Sequence, residues 1–277
     1  MATAPLEFFC ADFCPFAHRL WIALEEKEVP YQYREVNYCA SFLPSTQDFY
    51  SVSTTRTVPA VRLPDGTCLE DSLPLLFWVD AEYAGRGAAL VPAAGEATYH
   101  VHRLLKRVGD WVSAYYRVLM AQADALDERR AAFTAVLDEA AAELGRAPGP
   151  YYLGEAYSLV DVAWYPFVER ASQLLKHFDK YDLEAHPQWA VLRRWRDAVA
   201  ARPAVAATLW QTRSEASFAT QPLPEECGDR AAYLRGFYAM YAAADVAEGK
   251  KRLGALRPPR MPQEDWDAAL AQAEAHK

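Results

Sequence analysis

A cysteine placed between an apolar run and a proline is the residue of this chain best suited to nucleophilic chemistry. The apolar run Leu6–Cys10 predicts a short strand, and Pro15 predicts that a helix begins directly after Cys14. Cys14 would then be the N-cap residue, with its sulfur facing unpaired amide hydrogens at the positive end of the helix dipole. We therefore expect a lowered pKa for the Cys14 thiol and a reactive thiolate.

The helix after Cys14 is predicted to run to about Glu28. His18 lies one turn beyond Cys14, where a protonated imidazole would add positive charge, although a helix-surface position is favoured for it. Ala17 stands where a dithiol motif has its second cysteine, so a second thiol must come from a small molecule or a partner protein. The alternative is that Cys14 is a buried structural cysteine; the strand, Cys-Pro and helix context disfavours it.

The composition limits the classes of function. The 277 residues are 52% hydrophobic and 24% charged, and the net charge of −8 comes with dispersed basic residues, so no nucleic-acid partner is expected. The longest apolar stretches, such as Leu73–Val79, are too short to span a membrane, and no secretory signal is recognised. Five irregularly spaced cysteines indicate a reducing compartment, so we expect a cytoplasmic protein. No histidine and cysteine cluster has metal-ligand spacing, so no metal is expected.

Residues 1–88 alternate predicted strands with predicted helices, which indicates an α/β domain of the thioredoxin-like type. The turn at Pro64-Asp65-Gly66 joins two short apolar segments into a predicted hairpin. The predicted elements are a strand at Tyr31–Tyr38, the hairpin strands Val58–Leu63 and Cys68–Leu69, and a helix at Leu73–Tyr83.

Beyond Pro92 the pattern becomes helical, which predicts an all-α domain over 96–212 and a C-terminal extension over 213–277. Ser158 and Asp161 have the spacing of a capping box and predict a helix start without a catalytic role. Predicted helices cover residues 96–121, 127–145, 159–178, 188–201, 230–246 and 263–275.

Three motifs in this order resemble a known family: Cys14-Pro15-Phe16-Ala17, Thr57-Val58-Pro59-Ala60 and Glu70-Asp71-Ser72. They resemble the glutathione-binding domain of cysteine-type, omega-like glutathione S-transferases. The segment from Tyr152 to Trp164 resembles the capped core helix of that family's helical domain. The extension, with aromatic residues at 233–241 and the run Arg257 to Pro262, is similar to bacterial glutathione lyases of lignin β-ether degradation. The resemblance implies a thioredoxin-like domain followed by an all-α domain, glutathione as co-substrate and a homodimer.

The resemblance also implies the residues of a glutathione site. Val58 would precede a cis proline and pair its backbone with the cysteinyl residue of glutathione like an added strand. Asp71 would bind the ammonium group of the tripeptide, and Ser72 would bind its γ-glutamyl carboxylate. One alternative is that the pair only caps the helix; another is that Glu70 takes the role given to Asp71. The implied residues are Phe16, Arg56, Val58, Pro59, Asp71 and Ser72.

Arg56 is the candidate to bind the glycine carboxylate of glutathione. The alternative is that Arg56 is a solvated loop residue without a binding role. It stands in a segment, Ser53-Thr54-Thr55-Arg56, that departs from the Asn-Pro and Gly usual in the family. An acceptor pocket for a hydrophobic or aromatic glutathione conjugate is expected between the domains. Its candidate walls are Phe13, Tyr115, Tyr116, Trp164 and Trp210.

A cysteine at this position suits attack on the sulfur of a glutathione thioether or mixed disulfide. This predicts a thiol transferase or lyase that releases the reduced product and oxidised glutathione. Three alternatives remain from the sequence: a general thioltransferase or dehydroascorbate reductase, a conjugating transferase in which Cys14 only holds glutathione, and a non-enzymatic binding protein on the same fold.

Overall fold

The computed structural model describes residues 4–209, 230–242, 256–258 and 260–275. Its sheet has the strand order β2-β1-β3-β4, in which β1 pairs parallel with β2 and antiparallel with β3. The central strand β1 is almost entirely apolar and buried, as expected of a strand with a neighbour on each side and helices over the sheet. The strands are β1 (Leu6–Cys10), β2 (Tyr31–Glu35), β3 (Ala60–Arg62) and β4 (Cys68–Glu70).

Three helices accompany this sheet: α1 (Pro15–Glu26), α2 (Pro44–Val52) and α3 (Ser72–Glu82). The prediction placed the end of α1 at Glu28, but that residue has φ 52° and ends the helix early. Helix α2 was not predicted, because its polar sequence lacks an apolar periodicity.

Strand β2 ends at Glu35 and not at Tyr38 as predicted. The chain turns away from the sheet there, because the backbone N–H of Asn37 donates to the hydroxyl of Thr46 at 3.1 Å, in helix α2. Tyr38 is therefore a loop residue between β2 and α2.

The rest of the described chain is helical, which confirms the predicted fold class: a thioredoxin-like domain followed by an all-α domain. The predicted helix 159–178 is α-helical only to Arg170 and then continues as a π-helical turn, Ala171–Leu175. The helices are α4 (Glu96–Leu119), α5 (Leu126–Leu144), α6 (Leu159–Arg170), α7 (Ala190–Ala200), α8 (Pro203–Thr208), α9 (Arg230–Ala242) and α10 (Gln263–Ala275).

Helix α6 is a core helix, since all of its 12 residues are buried. The predicted capping box forms: the Ser158 hydroxyl accepts from the N–H of Val160 at 3.3 Å, and the Asp161 carboxylate accepts from the N–H of Ser158 at 2.9 Å. Trp195 of α7 donates its indole N–H to the same carboxylate at 2.8 Å. This cap fixes where α6 begins, and α6 packs against α1 of the first domain.

Two segments from the predicted extension lie on the thioredoxin-like domain. Helix α9 packs beside the π-helical turn and Phe13, and α10 packs through Trp266 against Ala40 and Leu43. Within the described ranges, no helix combines the length and apolar character needed to cross a membrane, and no group of three or more acidic, histidine or cysteine side chains could hold a metal.

Candidate active site around Cys14

Cys14 stands at the junction that the sequence predicted. It is the N-cap residue of α1, with extended backbone angles (φ −79°, ψ 117°) and Pro15 in the first helical turn. Its sulfur is half-buried and donates to the backbone oxygen of Val58 at 3.9 Å. The thiol therefore lies between the helix start and the turn that leads into β3.

The pKa of the Cys14 thiol is raised above its ordinary value, chiefly by burial. The backbone N–H groups of Ala17 and Phe16 lower it, as do the positive charges of Arg170 and Arg19. The expected lowering of the pKa is therefore wrong. The N-terminal amides are present as predicted, but the loss of solvation of the charged form outweighs them.

His18 is buried, not on a helix surface as favoured from the sequence. Its Nε2 lies 2.7 Å from the hydroxyl of Thr208, which itself donates to Val205, so Nε2 is the donor in this pair. Its Nδ1 accepts from Arg170 at 3.0 Å. Burial, followed by the charge of Arg170, lowers the pKa of His18 well below its usual value, so the imidazole is neutral and supplies no positive charge to Cys14.

Arg170 at the end of α6 organises the backbone just before Cys14. It is fully buried and donates to the carbonyl oxygens of Phe13 at 3.1 Å and Asp12 at 3.3 Å. Glu169 pairs with its guanidinium at 3.0 Å, which compensates the buried charge. Arg170 was not predicted from the sequence, although the adjacent pair Glu169-Arg170 at the end of an otherwise apolar capped helix is a signal for it.

The Val58–Pro59 peptide bond is cis, as expected. The backbone N–H of Val58 donates to the hydroxyl of Tyr38 at 2.9 Å, and its oxygen accepts from Cys14. Tyr38 was not predicted at the site, because it reaches Val58 from the loop between β2 and α2, and no pattern near position 38 marks it.

Asp71 and Ser72 lie where α3 begins. Asp71 has φ 76° and caps the helix by accepting from the N–H of Leu73 at 3.4 Å. Ser72 is buried, and its hydroxyl accepts from Arg19 at 3.2 Å. Arg19 also donates to the oxygen of Ala163 in α6 at 2.8 Å, and so joins α1, α3 and α6 at the candidate carboxylate-binding position.

Glu70, the alternative to Asp71, is engaged elsewhere. Its carboxylate accepts from the hydroxyls of Ser53 at 2.7 Å, Thr54, and Thr55 at 2.9 Å. These hydrogen bonds, that of Ser53 foremost, lower the pKa of Glu70 to about 2. The carboxylate therefore holds the loop that carries Arg56 and leaves Asp71 to face the helix start.

The domain profiles described as "Glutathione S-transferase, N-terminal domain" and "Glutathione S-transferase, C-terminal domain" match residues 13–82 and 99–208. The chain belongs to the glutathione S-transferase family. This transferase is 30% identical over 178 residues to "Protein IN2-1 homolog B" of Oryza sativa subsp. indica, covering 63% of this chain and 68% of that protein. It is also 30% identical over 173 residues to "Glutathione S-transferase L1" of Arabidopsis thaliana, covering 61% and 68%.

Among solved structures, this transferase is similar to glutathione transferase Omega 3C from Trametes versicolor. The TM-score is 0.66 with 28% sequence identity, over 77% of this chain and 86% of that one. The family uses glutathione as its co-substrate.

In this transferase, Phe16 and Arg56 flank the Cys14 region in different ways. Phe16 is half-buried, and its ring is parallel to that of Tyr116 with centroids 6.3 Å apart. Arg56 is exposed, and its guanidinium lies over the ring of Tyr50 at 5.5 Å. An exposed guanidinium beside the cis-proline turn is free to reach a carboxylate in solution.

Two of the proposed acceptor walls lie close to Cys14, and both contact α9. Phe13 is buried, with its ring stacked on Phe237 at 3.4 Å between centroids. Tyr116 donates to the hydroxyl of Tyr238, which in turn donates to the backbone oxygen of Phe13 at 3.1 Å. Helix α9, which belongs to the predicted extension, therefore covers Phe13.

Two other proposed walls belong to the core of the helical domain. Trp164 is buried with its ring 5.4 Å from that of Trp111 and 6.2 Å from that of Phe167. Tyr115 is fully buried, with its ring 5.0 Å from that of Tyr116. The side chains of Trp164 and Tyr115 are therefore not exposed to an acceptor in this structure. Trp210 lies outside the described residues.

Proposed function

We propose that this protein is a glutathione-dependent thiol transferase or lyase in which Cys14 attacks the sulfur of a glutathione conjugate. One observation carries the proposal: a half-buried cysteine thiol, not a hydroxyl, lies at the N-terminus of α1 and touches the backbone of Val58. Conjugating chemistry calls for a group that stabilises the thiolate of glutathione. A cysteine can instead form a covalent bond to that sulfur.

In the first step the Cys14 thiolate attacks the sulfur of the conjugate. A sulfur–sulfur bond forms between Cys14 and glutathione, the bond from sulfur to the organic fragment breaks, and that fragment leaves with the electron pair and takes a proton. In the second step the thiolate of another glutathione attacks the mixed disulfide. Oxidised glutathione is released and Cys14 is regenerated, so the organic fragment is reduced by two electrons in total.

The surroundings of Cys14 favour an aromatic acceptor. Phe13, Phe16 and Tyr116 lie around the start of α1, and Phe237 and Tyr238 of α9 close this side of the site. A thioether releases a carbanion in the first step, so the acceptor must stabilise it, for example as the α-carbon of an aryl ketone. A mixed disulfide releases a thiolate and needs no such stabilisation.

The deciding experiment uses a glutathionyl aryl ketone with added glutathione, and measures the free ketone and oxidised glutathione together. We expect both products in a one-to-one ratio from the wild-type protein. Cys14→Ser should reduce both rates to background while retaining glutathione binding, because an alcohol cannot form the mixed disulfide. Cys68→Ser is the matched control, since Cys68 is exposed on β4 and should leave the rates unchanged.

Full turnover by the Cys14→Ser variant would contradict the proposal. Conjugation of an electrophilic chloroarene by the wild-type protein, with no oxidised glutathione formed, would instead assign it to conjugating transferases. Turnover of small glutathione disulfides without turnover of the aryl ketone would keep the mechanism and assign the protein to thioltransferases.

A further inference from the structure

Both backbone groups of Val58 are already engaged by side chains of this chain. The N–H donates to the hydroxyl of Tyr38 at 2.9 Å, and the carbonyl oxygen accepts from the thiol of Cys14 at 3.9 Å. Under the proposed function, on which the present inference rests, the cysteinyl residue of glutathione pairs with these same two groups. In this structure the two groups are therefore engaged by Tyr38 and Cys14.

We propose that Tyr38 is a placeholder that competes with glutathione for the backbone N–H of Val58 and so sets the affinity of the site. An amide N–H has one hydrogen, and at 2.9 Å its direction is taken by the tyrosine oxygen. A carbonyl oxygen of glutathione cannot occupy that position until the tyrosine hydroxyl leaves. The binding free energy is then reduced by the cost of breaking this contact.

The position of Tyr38 fits a side chain that can leave. It lies in the loop between β2 and α2, and 38% of its surface is exposed. Its ring touches only the edge of Phe49 among the ring contacts of the described residues, with centroids 6.1 Å apart. Rotation of the side chain toward solvent therefore breaks this one ring contact and the hydrogen bond to Val58.

The hydroxyl of Tyr38 also lies close to the reactive sulfur. Burial, and then the charge of a thiolate at Cys14, raises the pKa of Tyr38, so the hydroxyl is neutral at ordinary pH. A neutral hydroxyl on the Val58 N–H is an effective stand-in for a peptide carbonyl, because both present a neutral oxygen to the same donor. The contact thus keeps a polar group satisfied until glutathione arrives.

The test is the variant Tyr38→Phe, which keeps the ring on Phe49 and removes only the oxygen. Calorimetry with S-methylglutathione measures binding without reaction at the thiol. We expect the dissociation constant to fall about 3- to 10-fold relative to the wild-type protein, the amount that one hydrogen bond of ordinary strength represents. In turnover assays the KM for the glutathione conjugate, whose cysteinyl residue pairs with Val58, should fall by a similar factor with kcat unchanged. Tyr99→Phe is the matched control, since Tyr99 is exposed on α4.

A dissociation constant for Tyr38→Phe equal to or higher than that of the wild-type protein, at unchanged thermal stability, would overturn the placeholder role and leave the proposed function standing. An increase would mean that the hydroxyl contacts glutathione directly. If the wild-type protein binds neither S-methylglutathione nor glutathione, both the inference and the proposed function are wrong.

Discussion

Two opposing influences act on the thiol of Cys14. Burial disfavours the charged form, whereas the amides of the first turn of α1 and two buried arginines, Arg170 and Arg19, favour it. Burial has the larger effect, and the thiol donates its proton to the carbonyl oxygen of Val58. Cys14 is therefore a protonated thiol, and it must lose this proton before it can act as a nucleophile.

At this scale the raised pKa makes a prediction about pH. A pKa above the ordinary thiol value means that the reactive thiolate fraction is small at neutral pH and still increasing above pH 9. The rate of Cys14 alkylation by iodoacetamide, followed by mass spectrometry of its peptide, should therefore have its midpoint at a higher pH than that of an unstructured cysteine peptide. The exposed Cys68 in the same digest controls for the reagent. A midpoint below that of the peptide would contradict the burial argument.

At the scale of elements, α6 links the two domains. Its first turn is fixed by Ser158 and Asp161, and its last residue, Arg170, holds the carbonyls that precede Cys14. Arg19 ties the middle of α6 to α1 and α3. The position of the Cys14 thiol thus depends on where helix α6 begins, although α6 lies more than a hundred residues further along the chain.

The variant Ser158→Ala tests this dependence. It removes the hydroxyl that caps α6 and leaves the buried Asp161 carboxylate with fewer donors, so the free energy of unfolding should fall by about 1–3 kcal/mol. Urea denaturation measures the change. Ser113→Ala is the control, because the hydroxyl of Ser113 is exposed in α4 and should change stability by less than about 0.5 kcal/mol. Equal losses for the two variants would show that the cap does not stabilise α6.

At the scale of the whole molecule, helix α9 of the extension packs against the residues that precede Cys14. Helix α9 stacks Phe237 on Phe13, while Arg230 pairs with Glu169 at 2.6 Å. Asp12 is buried with no hydrogen-bond partner for its carboxylate in the described part of the chain. Burial raises its pKa to about 7, against the opposing charges of Arg230 and Arg260 from the extension and Arg170. The extension therefore contributes both aromatic surface and positive charge to the residues before Cys14.

Two truncations within the extension separate an active-site role from general stabilisation. Phe237→Ala removes the ring on Phe13, and Trp266→Ala removes a ring of similar burial in α10, packed near Leu43 and Phe42. Both should destabilise the protein by about 3–5 kcal/mol. Only Phe237→Ala should change the relative kcat/KM for small and bulky aryl conjugates, with activity measured well below the melting temperature. The same selectivity in both variants would exclude Phe237 from the acceptor site.

The sequence by itself determined those features that a few neighbouring residues decide. Cys14-Pro15 set the start of α1, and Ser158 with Asp161 capped α6, because backbone restrictions and short-range hydrogen bonds act within one turn of chain. The cis bond of Val58–Pro59 was expected from the family resemblance and not from local pattern. The fold class followed from the alternation of elements and from the resemblance.

Only the tertiary structure decided the environment of these residues. The neutral state of His18, the contact of Tyr38 with Val58 and the cover formed by α9 depend on groups that lie 20 to 225 positions apart in the chain. The pKa of Cys14 is raised by burial, which comes from packing and not from its sequence neighbours. Burial and through-space charge follow distance in the folded protein and not distance along the chain. A local pattern can therefore place a thiol at a helix start, but the packing around it determines whether that thiol holds its proton.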